Sequence, residues 1–196
     1  MASRLFFASS PPGLEPVVAA ELADLGLDCG VVPGGVTFTG DPTCAALVPN
    51  MHTPTRLLME LTTRPCTSLS KLAEVTRAVR WNEVLVRGGK FDVSVTTQGS
   101  RLRNRTAIAK KVEHAIADKL RKEKPSRVPG VQRVSVKLNK DVVTLSIDCG
   151  GELLHKRGWR KNSVRAPLRE NLAASILMAA GWQGDEPLYD PFCGSG

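Results

Sequence analysis

The last seven residues, Asp190-Pro191-Phe192-Cys193-Gly194-Ser195-Gly196, set an acid at the end of a short run and follow it with a turn holding two glycines. Glycine lacks the Cβ that keeps a chain away from a ligand, so a turn of this kind lets backbone N–H groups approach a bound nucleotide closely. A second chemistry is carried by cations. Residues 101–133 hold 11 Lys and Arg against 3 Asp and Glu, and residues 153–170 hold 6 against 1, so these two stretches account for all of the +8 net charge. Clustered cations attract polyanions by releasing condensed counterions, which points to nucleic-acid phosphate. Arg101, Arg103 and Arg105 alternate, and in an extended segment they would project to one side; with Lys110 and Lys111 they are the first candidates for phosphate contact. The competing reading of the same stretch is a solvated helix face. In the second stretch His155, Lys156, Arg157, Trp159 and Arg160 are candidates for RNA contact. His155 and Trp159 would serve equally to pin a linker to a domain surface.

Other chemistries lack residues. Five cysteines without a CxxC pair and three scattered histidines support neither a disulfide framework nor a metal site, and they fit a reducing cytoplasm. No apolar run approaches the roughly 20 residues of a membrane span, and the N-terminus is unlike a secretory signal. One Tyr, five Phe and three Trp are too few for an extended base-stacking platform, so recognition of folded RNA through backbone and shape is the better fit. The 42% apolar and 23% charged content is that of ordinary folded protein, and 196 residues are enough for two units of about 100.

The elements that must position these groups are legible in periodicity. Leu5–Ala8 reads as a strand, and Leu14, Val18, Leu22 and Leu25 form a helical stripe ended by Gly26. Cys29–Val32 and Val36–Phe38 flank a Pro33-Gly34-Gly35 turn, Asp41-Pro42 opens a helix, and Arg56–Leu61 alternates with Leu57, Met59 and Leu61 on one face. A helix capped by Ser68 or Ser70 then runs to Val79, followed by a strand with Phe91, Val93 and Val95. Asn104 opens a long helix with Ile108, Val112, Ile116 and Leu120 inward and Lys110, His114 and Arg121 outward, stopped by Pro125. Val134–Leu138 and Val143–Ile147 form a hairpin about Asn139–Asp141. Trp81 reads as core. Leu168–Ala180 is a helix ended by Gly181, with Leu172, Ile176 and Leu177 on its apolar side, and Pro187–Asp190 is a short strand.

The string D-P-F-C-G-S-G resembles the first motif of class I S-adenosylmethionine-dependent methyltransferases, particularly those acting on exocyclic amines of nucleic-acid bases. Leu154-His155-Lys156-Arg157-Gly158-Trp159-Arg160, Ala166-Pro167-Leu168-Arg169-Glu170-Asn171-Leu172-Ala173-Ala174 and Gly181-Trp182 resemble the junction of bacterial THUMP-domain RNA methyltransferases, above all the large-subunit (23S) rRNA guanine-N2 family. Phe6-Phe7-Ala8, Gly13-Leu14-Glu15 and Val36-Thr37-Phe38 are similar to that family's N-terminal unit.

The resemblance implies an α+β chain: a ferredoxin-like domain over 1–62, a THUMP RNA-binding domain over 63–152, a basic linker over 153–167, and over 168–196 the first helix and strand of a Rossmann-like methyltransferase domain. It implies S-adenosylmethionine as cofactor, with Asp190, Phe192, Cys193, Gly194 and Gly196 on its approach. Asp190 would face the methionine end or order the loop, and Cys193 would not be a nucleophile. RNA is the implied partner, with no membrane and no metal. Family catalytic and ribose-binding motifs lie beyond Gly196, so no catalytic residue is assigned, and this chain alone is expected to be inactive and unable to bind the cofactor. Its last helix and strand are expected either to be mobile or to dock on what precedes them or on a neighbouring chain. Alternatives are a stand-alone THUMP module and a tRNA-directed relative.

Overall fold

In the computed structural model, residues 3–85, 90–122, 132–150, 154 and 168–193 are described. The chain divides into two compact units, Met1–Leu57 with Glu152–Gly196, and Leu58–Gly151.

In the first unit, β1 (Arg4–Ser9) leads to α1 (Glu15–Asp24), followed by the hairpin of β2 (Cys29–Val32) and β3 (Gly35–Gly40). β3 pairs antiparallel with both β2 and β1, with Phe6 opposite Phe38. The two rings stack with centroids 5.0 Å apart. Period-two alternation puts Phe6, Ala8, Val36 and Phe38 on one buried face, together with Val18 and Leu22 of α1 in the unit's core. Gly35 is required by close approach, since a Cβ there would meet the Ala8 carbonyl oxygen at 2.2 Å. Asp41 caps the segment Pro42–Asn50 by accepting the Thr43 N–H at 2.7 Å, but that segment is a 3-10 helix rather than an α-helix. Pro49 inside it has no N–H to continue an α ladder.

α1 ends as Gly26 dictates. The Gly26 N–H donates to Ala23 and the Leu27 N–H to Leu22, and φ at Gly26 is +80°. The last helix, α4 (Glu170–Ala179), ends identically, with Gly181 N–H to Met178 and Trp182 N–H to Leu177.

α4 packs against α1, so the helix takes the docked alternative. Its buried face is not the expected one. Asn171 and Ser175 are buried, whereas Ile176 is 50% exposed and Leu172 and Leu177 are half-buried. The Asn171 amide donates to the Thr55 hydroxyl (3.1 Å) and so ties the helix to its seat, while Ser175 Oγ bonds back within the helix to the Asn171 carbonyl (2.8 Å). Pro187–Asp190 is irregular backbone and not the expected strand. A strand needs a ladder partner for its N–H and C=O groups, and among the described residues none pairs with this segment.

The second unit contains most of β4 (Arg56–Pro65), then α2 (Leu69–Ala78), β5 (Phe91–Gln98), α3 (Arg105–Lys122), β6 (Gln132–Asn139) and β7 (Val142–Asp148). Within it the strand order is β4-β7-β6-β5, antiparallel except for the parallel pair β5 and β6 that α3 connects. A register shift between Glu60 and Thr62 interrupts the alternation of β4, leaving Leu61 half-buried. Ser68 caps α2 at the Lys71 N–H (3.2 Å), and Ile108, Val112 and Ile116 of α3 are buried as their spacing requires. Trp81 is fully buried with its indole N–H on the Thr76 carbonyl (2.7 Å).

Candidate functional site

The basic stretch begins where β5 ends, and its first residue is fastened to the β6–β7 turn. Ser100, buried, donates its hydroxyl to the Gln98 carbonyl (3.2 Å) and accepts the Asp141 N–H (3.0 Å). Asp141 accepts the Arg101 backbone N–H at 2.8 Å through Oδ1, and its Oδ2 lies 3.3 Å from Arg101 Nε. The Asp141 carbonyl accepts the Cys66 N–H (2.7 Å), and the Lys140 N–H donates to Gln98 (3.0 Å). Lys140 and Asp141 have φ of 48° and 60°, the left-handed pair that a two-residue hairpin turn demands. Asn104 then caps α3 by accepting the Ala107 N–H at 3.0 Å.

These bonds correct one expectation. Arg101, Arg103 and Arg105 do not lie along one extended segment: residues 102–104 are irregular, and Arg105 is the first residue of α3. Arg101 directs its guanidinium to Asp141 and so orders the loop. Arg105 and Lys110, five residues apart, are separated by about 140° around the helix, so the cations surround the helix start instead of forming a strip. Arg103, Arg105 and Lys110 are exposed and Lys111 half-buried, and among the described residues none of the four has an ion-pair partner. The first turn of α3 carries no acid. Its helix dipole therefore adds to the side-chain cations, and an anion is the group that would relieve both. Lys110, His114 and Arg121 are exposed along one side, as their spacing requires.

At the other candidate region, Asp190 Oδ1 accepts the Phe192 N–H at 2.8 Å and closes a local turn. Tyr189 is 86% exposed and Phe192 92%, and the Cys193 thiol is exposed. An acid that orders a following turn suits the approach to a cofactor's polar end. Gly194, Gly196, His155, Lys156, Arg157, Trp159 and Arg160 lie outside the described residues, as do Pro125 and most of the 153–167 linker. Among the described residues no group of three or more His, Cys, Asp or Glu could hold a metal ion, and no helix is long and apolar enough to cross a membrane.

Sequence reasoning missed Glu21. It is buried in α1, where Oε1 accepts the His52 N–H (2.6 Å) and Oε2 the Thr53 N–H (2.9 Å) and hydroxyl (2.5 Å). Thr53 and Thr55 flank the segment on which Asn171 sits, so Glu21 fixes the seat of α4. Its signal was an acid three residues after Val18 and directly before Leu22, inside the apolar stripe. Asp141 was missed as well; its signal was Asn139-Lys140-Asp141, a turn whose last residue tolerates positive φ.

Three family models match the chain in succession: the RlmL ferredoxin-like domain over residues 5–51, the THUMP domain over 66–148, and the RMKL-like methyltransferase domain over 157–196. The chain carries a ferredoxin-like domain, a THUMP domain and the opening of a methyltransferase-like domain, in that order. Among its relatives is the Bacillus subtilis protein named "Putative RNA methyltransferase YpsC", 33% identical, matching 100% of this chain and 53% of its own length. A solved structure named as a predicted N6-adenine-specific DNA methylase, from Listeria monocytogenes, is 32% identical with a TM-score of 0.86, over 100% of this chain and 53% of the other. Another, "SMU.472, a putative methyltransferase complexed with SAH", is 31% identical with a TM-score of 0.84, over 100% of this chain and 54% of the other. The chain thus spans about half the length of the relatives it matches.

Proposed function

We propose that this chain is the RNA-binding part of an S-adenosylmethionine-dependent RNA methyltransferase acting on guanine N2 of 23S rRNA in the cytoplasm. The observation that carries the RNA part is the Asp141-ordered loop, which delivers Arg103 and Arg105 to a helix start without acids inside a THUMP domain. The division of labour is physical. Exposed cations track phosphates and set register on folded RNA, while the chemistry belongs to the domain that Asp190 opens. The domain limits we propose are 1–62, 63–152, 153–167 and 168–196. His155, Lys156, Arg157, Trp159 and Arg160 would extend the RNA contacts along the linker.

S-adenosylmethionine supplies an activated methyl group on a sulfonium. Of this chain's residues, Asp190 orders the turn that holds Phe192 on its approach, and Phe192, Cys193, Gly194 and Gly196 would line that approach. A stand-alone binding module is the weaker reading, because it has no use for residues that match a methyltransferase domain.

The test is twofold. RNA from a strain lacking the full-length gene is digested and its nucleosides quantified: loss of N2-methylguanosine from 23S rRNA supports the proposal, and loss from tRNA alone overturns the rRNA assignment. Second, Arg103→Glu with Lys110→Glu in this chain should weaken binding to structured RNA and flatten its salt dependence by about 0.7–0.9 per lost phosphate contact. An unchanged slope returns the stretch to a solvated helix face.

A further inference from the structure

A second cluster of cations lies where the C-terminal ends of α2 and α3 meet. Among the described residues, Arg77 of α2 and Lys119 and Arg121 of α3 line a concavity of about 330 Å³ together with Asp118. Asp118 stands between the arginines: Oδ2 is 3.9 Å from Arg77 Nη2 and Oδ1 is 3.3 Å from Arg121 Nη2. Arg77 and Arg121 keep most of their side-chain surface exposed. One half-exposed carboxylate cannot neutralise both guanidiniums, and a guanidinium holding an acid through one nitrogen retains further N–H donors for another ligand.

Arg121 is 16 residues beyond Arg105 on the same helix, so the two ends of α3 are separated by about 24 Å along its axis. Lys110 and His114 lie on the exposed side between them. We propose that Arg77 and Arg121 form a second phosphate-binding site, which holds the RNA backbone at the far end of α3 from the Arg103 loop. Asp118 sets the spread of the two guanidiniums. The ligand is a backbone phosphate, bound without reading bases. The inference rests on the RNA reading of this unit.

The experiment is anisotropy of a labelled RNA hairpin titrated with the 196-residue chain at several KCl concentrations, comparing wild type with three double variants. Arg77→Gln with Arg121→Gln should lower affinity at least fivefold at low salt and reduce the slope of log K against log salt by about 1.4–1.8, two contacts' worth. Arg64→Gln with Lys71→Gln removes the same charge elsewhere in the unit and should leave the slope within about 0.3 of wild type. A slope unchanged by the Arg77 and Arg121 pair but lowered by Arg103→Gln with Lys110→Gln overturns the second site and leaves the RNA reading standing. Equal losses from the Arg77 pair and the Arg64 pair overturn it too, since they would report net charge alone. Failure of wild type to bind any structured RNA overturns both readings. Circular dichroism of each variant should match wild type, and should either Arg77 or Arg121 variant unfold, Arg77→Lys with Arg121→Lys, which keeps the charge, should restore both fold and slope.

Discussion

The carboxylate of Asp141 holds Arg101 twice, accepting its backbone N–H at 2.8 Å and lying 3.3 Å from its guanidinium Nε. A residue in the turn between β6 and β7 thereby fixes the first residue of a cationic loop that follows β5, 40 positions earlier. The loop's shape is set by the sheet and not by its own sequence.

Replacing Asp141 with Ala removes that acceptor and puts a Cβ-bearing residue of low left-handed preference at a φ of 60°. We expect a loss of about 1.5–3 kcal/mol in urea unfolding together with weaker RNA binding. Asn, which keeps one acceptor oxygen and tolerates the left-handed region, should lose less than half as much. Equal losses for Ala and Asn would show that the carboxylate geometry is immaterial.

Glu21→Ala removes the acceptor of the buried Thr53 amide and of the part-buried His52 amide. The expected cost is about 2–6 kcal/mol, at about 1–3 kcal/mol for each of the two amides, with Glu21→Gln intermediate. Because Asn171 is seated on the segment that Glu21 fixes, limited proteolysis should cut the 168–193 region of the Ala variant first.

Glu15 provides the acid-side test. Its own backbone N–H, and then those of Gly13 (2.8 Å) and Gly34 (3.2 Å), hold its carboxyl below the ordinary carboxylate range, against a pull upward from burial. A folded-state value below the unfolded one gives stability that is present above the unfolded value near 4.3 and lost as pH falls through the folded value. Wild type should therefore exceed Glu15→Gln in stability at pH 7, and the two melting curves should converge as pH drops below 4. A gap that stays constant down to pH 3 would contradict this.

The thiols should separate by environment. Burial first, and then the neighbouring Asp148, push the Cys149 thiol up to about 12, and burial also raises Cys66. Cys193 is exposed. Since the thiolate is the reactive form, native alkylation followed by mass spectrometry should label Cys193 well before Cys66 and Cys149, which should react only after denaturation. Labelling of Cys149 at a rate near that of Cys193 would contradict the upward push on its thiol.

For the 196-residue chain alone, calorimetry with S-adenosylmethionine should give no heat of binding. A cofactor site buries most of its ligand, whereas Tyr189 and Phe192 are 86% and 92% exposed beside the Asp190 turn. A micromolar dissociation constant would show a more complete site.

Local patterning determined most of the elements. Gly26 and Gly181 each closed a helix because a residue without a Cβ adopts positive φ freely, and Ser68 and Asn104 capped helices with their own side-chain oxygens. The stripe Ile108, Val112 and Ile116 declared which side of α3 is buried, and the D-P-F-C-G-S-G string declared the kind of domain it opens. What those local rules could not decide were relations between distant residues. Period alone marked Leu172, Ile176 and Leu177 as the inner side of α4, yet Asn171 and Ser175 are buried, and the Thr55 hydroxyl that receives the Asn171 amide is in reach only once the first unit has folded. Pro187–Asp190 has strand-like residues and no strand, since a ladder requires a neighbour that sequence cannot place. Alternation suggested that Arg101, Arg103 and Arg105 share one side, but Asp141 comes from another hairpin, and only the tertiary structure brings its carboxylate to the first of them.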